Sequence, residues 1–202
     1  MTINRREDRR ISRTRQLLRQ AFMDLVREKG FAAVSIQDVA ERANVNRGTF
    51  YIHYTDKYEL LDTIIREEFR RGLALLPADC TWNRESLHLL IVSLLTTFEG
   101  KYQHDSYKSH VYASVGTLLD QAVHDELAQL LLGWLKQSNP VEAGTFVSPE
   151  VIANIVSWAI FGPVLHWSQQ PLIISAEQMA HDILLVITEG ILWGTELKSK
   201  QL

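Results

Sequence analysis

Residues 35–61 read SIQDVAERANVNRGTFYIHYTDKYELL, and this stretch decides the fold. Ser35 stands where a helix cap is wanted, with Asp38 three residues on as a variant capping box. The helix they start runs to Arg42. Asn44 and Val45 make a tight turn, and a second short helix follows from about Asn46 to His53. Asp56 caps a third helix, with Glu59 at the capping-box position behind it. Ile36, Val39 and Ala40 face inward, Ala40 being small enough for the second helix to cross it closely. Val45 and Phe50 fill the space between. Two short helices around such a turn form a helix-turn-helix.

Working outward, the pattern stays helical. Leu17, Leu18, Ala21, Phe22, Leu25 and Val26 recur at helical spacing and predict a first helix over Ser12–Lys29, stopped by Gly30. Phe31 and Val34 anchor the short connection that follows. Leu60, Leu61, Ile64, Ile65, Phe69 and Leu73 predict a long helix from Lys57 to about Leu76, ended by Pro77. Further helices are expected over Arg84–Lys101, Ser106–Ser114, Leu118–Gln137, Pro149–Gln169 and Ala176–Leu197. Ser148-Pro149-Glu150 is a strong start signal, Ser175 and Gln178 form another capping box, and Pro163 is expected to kink its helix. No alternating strand pattern is found. The expected class is all-α: an N-terminal three-helix helix-turn-helix domain, residues 1–57, joined by a long helix to a C-terminal helical domain, residues 58–202. No Gly/Ser-rich or Pro-rich linker separates the two, so the boundary falls inside the long helix.

The chain has 202 residues, 46% of them hydrophobic, and a formal charge of −3. That is ordinary globular composition. No uncharged apolar run reaches the ~18 residues of a membrane span, and the Arg-rich start lacks the apolar core of a signal peptide, so a cytoplasmic protein without membrane association is expected. The single cysteine, Cys80, offers no internal disulfide and no Cys-based zinc site. The charge is uneven. Residues 1–71 hold 15 Lys and Arg against 11 Asp and Glu, a balance of +4, and the remainder carries −7. A basic head on an acidic body suits a phosphate-binding module, although an unevenly charged solvated surface gives the same count. No Gly-rich phosphate loop, nucleophile elbow or HExxH motif is present, so no catalytic residues, enzyme activity or cofactors are expected. His104, Asp105 and His110 lack metal-ligand spacing, and no metal is expected.

Thr49-Phe50-Tyr51-Ile52-His53-Tyr54, then Asp56-Lys57 and Leu60-Leu61, resembles the recognition-helix signature of the TetR family (TetR/AcrR-like) of transcriptional regulators. Ala32 to Ala40 resembles the helix that precedes it in that family, and the likeness covers about residues 10–62. In the body, Ser148-Pro149-Glu150, Trp167 and the segment from Ser175 to Ala180 resemble the Firmicutes-type C-terminal domain. The resemblance implies a dimeric regulator that binds double-stranded DNA at an inverted repeat, most often a repressor, and a body that takes a small-molecule effector.

Residue by residue, a recognition helix reads base edges mainly from its N-terminal residues. Arg47 sits there, and a guanidinium can bond guanine O6 and N7 together. Gly48 lets the backbone approach closely, and Thr49 can meet a phosphate or a thymine methyl. Tyr51 resembles a family position that touches base or phosphate, His53 and Tyr54 lie at the helix end near the DNA backbone, and Lys57 resembles the family's phosphate-binding lysine. Gln37 matches a position that reaches bases, and Ser35 can contact phosphate while capping. Arg5, Arg6, Arg9 and Arg10 form a basic arm that can reach the minor groove or flanking backbone, or else a solvated tail. Tyr51 and Tyr54 could instead pack beneath the long helix, and Thr49 and His53 could serve the helix alone.

The last two helices are the expected dimer interface, lined by Ile152, Ile155, Val156, Ala159 and Val164 on one and Ile183, Val186, Ile187, Ile191 and Gly194 on the other, with Gly190 and Gly194 allowing close approach. Paired subunits would read half-sites about 34–36 Å apart, or a multiple of one turn. Phe98, Tyr102, His110, Trp134, Trp158 and His166 are candidates to line an effector pocket, with core packing as the alternative for each. Two other readings remain open: a co-regulator whose body is switched by a protein partner, and a helical enzyme carrying an incidental helix-turn-helix.

Overall fold

The structure, a computed structural model, describes residues 2–74, 76–99, 106–138, 147–169 and 174–189. Eight α-helices and one 3-10 turn account for nearly all of them: α1 (Thr2–Lys29), η1 (Phe31–Ala33), α2 (Ile36–Arg42), α3 (Arg47–His53), α4 (Lys57–Leu73), α5 (Arg84–Phe98), α6 (Ser106–Gln137), α7 (Pro149–Gln169) and α8 (Ala176–Glu189). No strand occurs among the described residues.

The chain divides into two compact units, Met1–Glu67 with Ser106–Ala122, and Glu68–Asp105 with Val123–Leu202. In the first, Leu18, Phe22, Val39, Phe50 and Leu60 are fully buried in one apolar cluster shared by α1, α2, α3, α4 and Val115 of α6. Gly30 ends α1 with φ of 77°, a left-handed conformation that a side chain resists. Asn44 makes the turn after α2 at φ 52°, and the Val45 N–H donates to the Ala40 carbonyl at 2.9 Å. Two ion pairs bind α1 to α2: Arg42 grips the Glu28 carboxylate with both terminal nitrogens at 2.7 Å, and the Lys29 ammonium reaches Asp38 at 2.7 Å.

In the second unit α5 packs against α7 and α8. It is apolar around much of its circumference, burying Leu87, Leu90, Ile91, Leu94, Leu95 and Phe98. α7 continues through Pro163 to Gln169. The Trp167 indole N–H donates to the Ile174 carbonyl at 3.2 Å, tying the end of α7 to the start of α8. By length and composition α7 would pass for a membrane span, and 44% of its apolar window is buried inside the protein.

Several boundaries differ from expectation for identifiable reasons. α1 begins at Thr2, ten residues before the expected Ser12, so the arginine-rich arm forms the first turns of a helix; a charged segment without Gly or Pro sustains a helix but shows no apolar period. Ser106–Ser114 and Leu118–Gln137 are one continuous helix, the glycine between them, Gly116, being tolerated inside it. α4 stops at Leu73 and α5 at Phe98, short of the expected ends. Glu59 does not close a capping box on Asp56: its carboxylate accepts the Thr55 N–H at 2.6 Å and hydroxyl at 2.7 Å, while Asp56 accepts the amides of Tyr58 and Glu59. Gln178 donates its amide N–H to Ser175, but its side chain turns to Asp182. On the faces expected at a dimer interface, Val156, Val164 and Ile183 are buried within the protomer. The apolar residues left exposed are Val151, Ile155 and Trp158 on α7 and Leu185 and Val186 on α8. Gly190, Ile191 and Gly194 lie outside the described residues.

Candidate nucleic-acid interface

Ser35 builds the local frame. Its hydroxyl accepts the Asp38 amide at 3.1 Å and donates to the Asp38 carboxylate at 2.7 Å, while its own amide donates to the same carboxylate at 2.8 Å. The Lys29 ammonium, followed by these Ser35 groups, holds the Asp38 carboxyl far below the usual carboxylate range, and the Arg42 guanidinium lowers Glu28. A carboxylate whose folded pKa lies below its unfolded value adds stability above that unfolded value, and the contribution is lost as pH falls toward the folded one. The α1–α2 association is therefore expected to weaken below about pH 4. Asp38→Asn should lower the melting temperature at neutral pH and flatten its fall on acidification, measured by circular dichroism.

α3 is positioned from one side only. Asn46 caps it by accepting the Gly48 amide at 2.8 Å, and Phe50 is driven into the core. The opposite face carries Arg47, Gly48, Tyr51 and Ile52, all exposed. Arg47 and Tyr51, one turn apart, are paired: the guanidinium donates to the Tyr51 hydroxyl at 3.1 Å and lies 5.7 Å from its ring centroid. A long cationic side chain is thus partly ordered before any partner arrives, which reduces the entropy lost on contact. Thr49 is half-buried at the flank. His53, also half-buried, has its pKa lowered by burial and then by Arg15. Gln37 is exposed on α2, and its amide donates to Glu41 at 2.6 Å.

Tyr54 takes the packing alternative, and Lys57 is engaged within its own unit. Tyr54 is 4% exposed and packs its ring 5.8 Å from that of Phe50, so it is a core residue and does not reach the surface. Its hydroxyl has no hydrogen-bond partner among the described residues, and burial pushes the phenol pKa up. Lys57 turns back into its own unit. Its ammonium donates to the carbonyls of Phe31 at 3.0 Å, Ala32 at 3.1 Å and Val34 at 2.9 Å, and lies 4.7 Å from the Phe31 ring centroid. Three protons meet three acceptors, so contact with a phosphate would require giving up one of them. Replacing Lys57 by methionine is expected to destabilise the head by about 1–3 kcal/mol and to leave the salt dependence of DNA binding unchanged. Denaturant titration and binding at several salt concentrations would check both parts.

The residues expected to line an effector pocket differ in exposure. Phe98 and Trp134 are buried in the second unit, with Phe98 edge-on to Phe161 at 6.0 Å. His166 is exposed on α7, and Trp158 is half exposed. Tyr102 and the side chain of His110 lie outside the described residues, as do His104 and Asp105. The sequence reading passed over His124. It is 7% exposed, stacks on Trp158 at 4.2 Å between ring centroids, and keeps a buried Nε2 without a partner among the described residues. Nothing in the local sequence singles out a histidine among the α6 apolar residues; only the packing reveals it. Ile52, 78% exposed, was likewise missed because an apolar residue in a short helix reads as core.

The profile of TetR_N, bacterial regulatory proteins of the tetR family, matches residues 18–64. YxbF of Bacillus subtilis (strain 168), an uncharacterized HTH-type transcriptional regulator, is 47% identical over 60 residues, which are 29% of this chain and 16% of that protein. The chain thus spans about a sixth of the length of that relative. YhgD of the same organism, also an uncharacterized HTH-type transcriptional regulator, is 22% identical over 185 residues, 88% of this chain and 96% of that one. Among solved structures, the flavonoid-responsive regulator FrrA superposes with a TM-score of 0.57 at 20% identity, covering 88% of this chain and 96% of that chain. The fatty acid degradation regulator FadR from Bacillus halodurans gives 0.55 at 16% identity, covering 88% and 96%. These last two establish likeness of fold. Taken with the helix-turn-helix built by α2 and α3, the match makes residues 18–64 similar to the N-terminal region of bacterial regulatory proteins of the tetR family.

Proposed function

We propose that the protein is a dimeric, sequence-specific DNA-binding transcriptional regulator of the cytoplasm, a repressor released when a small molecule binds its helical body. The observation that carries this reading is the outward face of α3, where Arg47 is held by Tyr51 on a helix whose other side is locked into the core. Arg47, Gly48, Thr49 and Tyr51 contact bases or phosphate from α3, and Ser35, Gln37 and His53 flank them. Residues 1–57 act as the reading head and residues 58–202 as the effector-binding and dimerising body.

Dimerisation is supported by Val151, Ile155 and Trp158, spaced at i, i+4 and i+7 on α7, and by Leu185 and Val186 on α8, which leave two helices with exposed apolar side chains. A single seven-residue helix reads few bases, so a two-fold pair reading an inverted repeat supplies the specificity. The effector part of the proposal draws on proteins of like fold, one of them described as flavonoid-responsive, and on the buried His124 Nε2, without a partner among the described residues and suited to a small ligand. Effector binding shifts the equilibrium only if the DNA-incompetent state binds it more tightly.

Selection of bound duplexes from a random pool, with sedimentation of the complex, tests the proposal. An inverted repeat bound by two copies of the chain is expected; a site without symmetry bound by one copy would overturn it. Native mass spectrometry of gently purified protein tests the effector arm, a bound small molecule being the expected result and a co-purifying protein the contrary one.

A further inference from the structure

We propose that Ile52, together with the bare strip left by Gly48, reads the 5-methyl group of a thymine in the major groove. The inference deepens the DNA-binding reading above and rests on it. Ile52 is 78% exposed, more than any other large apolar side chain among the described residues. An isolated exposed apolar residue is ordinary on a protein surface; the placement of this one is not. It lies on the outward face of α3, one turn after Gly48 and next to the Arg47–Tyr51 pair. Neither packing nor helix propensity selects isoleucine here, because the side chain touches no core and a β-branched residue is a weak helix former.

Gly48 points the same way. Its backbone is not in the left-handed region, and a Cβ added to it would meet only the Asn46 side-chain oxygen, at an ordinary 3.5 Å. The fold itself therefore has room for alanine, which would stabilise the helix. What glycine provides is an open strip beside Ile52, on the face offered to DNA. Base edges in the major groove are polar with one exception, the thymine methyl, and that is the natural partner of an exposed aliphatic side chain. Five residues of helix separate Arg47 from Ile52, a rise of about 7.5 Å. The thymine is thus expected about two base-pair steps from the guanine that Arg47 contacts.

Deoxyuridine differs from thymine only in lacking the methyl, so it isolates the contact. With the duplex recovered by selection, each thymine is replaced in turn by deoxyuridine and binding is measured for the parent protein, Ile52→Ala and Ile52→Ser. One thymine per half-site is expected to lose about 3- to 5-fold in affinity for the parent when its methyl is removed. Both variants should bind the thymine and deoxyuridine duplexes equally, with melting temperature and salt dependence unchanged. A parent indifferent to every replacement, a variant that keeps the full penalty, or a selected site without thymine would overturn the proposal. Failure to select any sequence would instead overturn the DNA-binding reading beneath it.

Discussion

Replacing Phe50 by alanine is expected to cost the head unit about 3–5 kcal/mol, a cavity the size of a phenyl ring that its surroundings refill only in part. The ring is fully buried, 5.7 Å from Tyr51 and 5.8 Å from Tyr54 between centroids, in the cluster that also holds Leu18, Phe22, Val39 and Leu60. It is the buried residue of α3, so the loss falls on the helix that carries Arg47. A two-unit chain need not unfold in one step. The effect is therefore best read locally, by hydrogen exchange in α2 and α3, where protection should collapse while α5 and α7 keep theirs. Phe50→Leu, which retains most of the volume, should lose far less. Unchanged exchange in Phe50→Ala would mean that this ring does not anchor the reading helix.

Arg47→Ala is the second large effect, expected in DNA binding and not in folding. A bidentate guanidinium–guanine contact is worth about 1–3 kcal/mol, so each half-site should lose roughly 5- to 150-fold in affinity and become tolerant of substitution at one base pair. Folding should be unaffected, because the side chain is exposed and its partner within the protein is the exposed Tyr51. Tyr51→Phe separates the two contributions: it removes the hydroxyl that orients the guanidinium and keeps the ring. Binding of selected and scrambled duplexes, compared across the three proteins, checks the prediction. A uniform loss on both duplexes would make Arg47 a phosphate ligand.

The helix-turn-helix was legible because its signals are local and short in range. The Ser35–Asp38 box, the Asn44 turn and the inward Phe50 all appear as the sequence implies. Elements defined by charge alone were not legible: the first turns of α1 carry no apolar period. Direction was the harder matter in the site. Arg47 and Tyr51 face outward as their spacing suggests, but Tyr54 follows the core and Lys57 turns toward η1. The reversal of Lys57 depends on three carbonyls more than twenty residues upstream, which no local pattern encodes. In the body, apolar faces were recognisable, but which face α5 would cover was not, because apolar composition does not say which neighbour a helix will choose.

The three-carbonyl grip of Lys57 has a chemical corollary. Acylation requires the Lys57 nitrogen to leave its three carbonyls and meet the reagent. Here all three protons are engaged with Phe31, Ala32 and Val34. Lys57 should consequently label slowly in the native protein, at a rate governed by transient detachment of the start of α4 from η1. Its reactivity then becomes an intrinsic clock for opening of the DNA-reading head, one that needs no introduced probe.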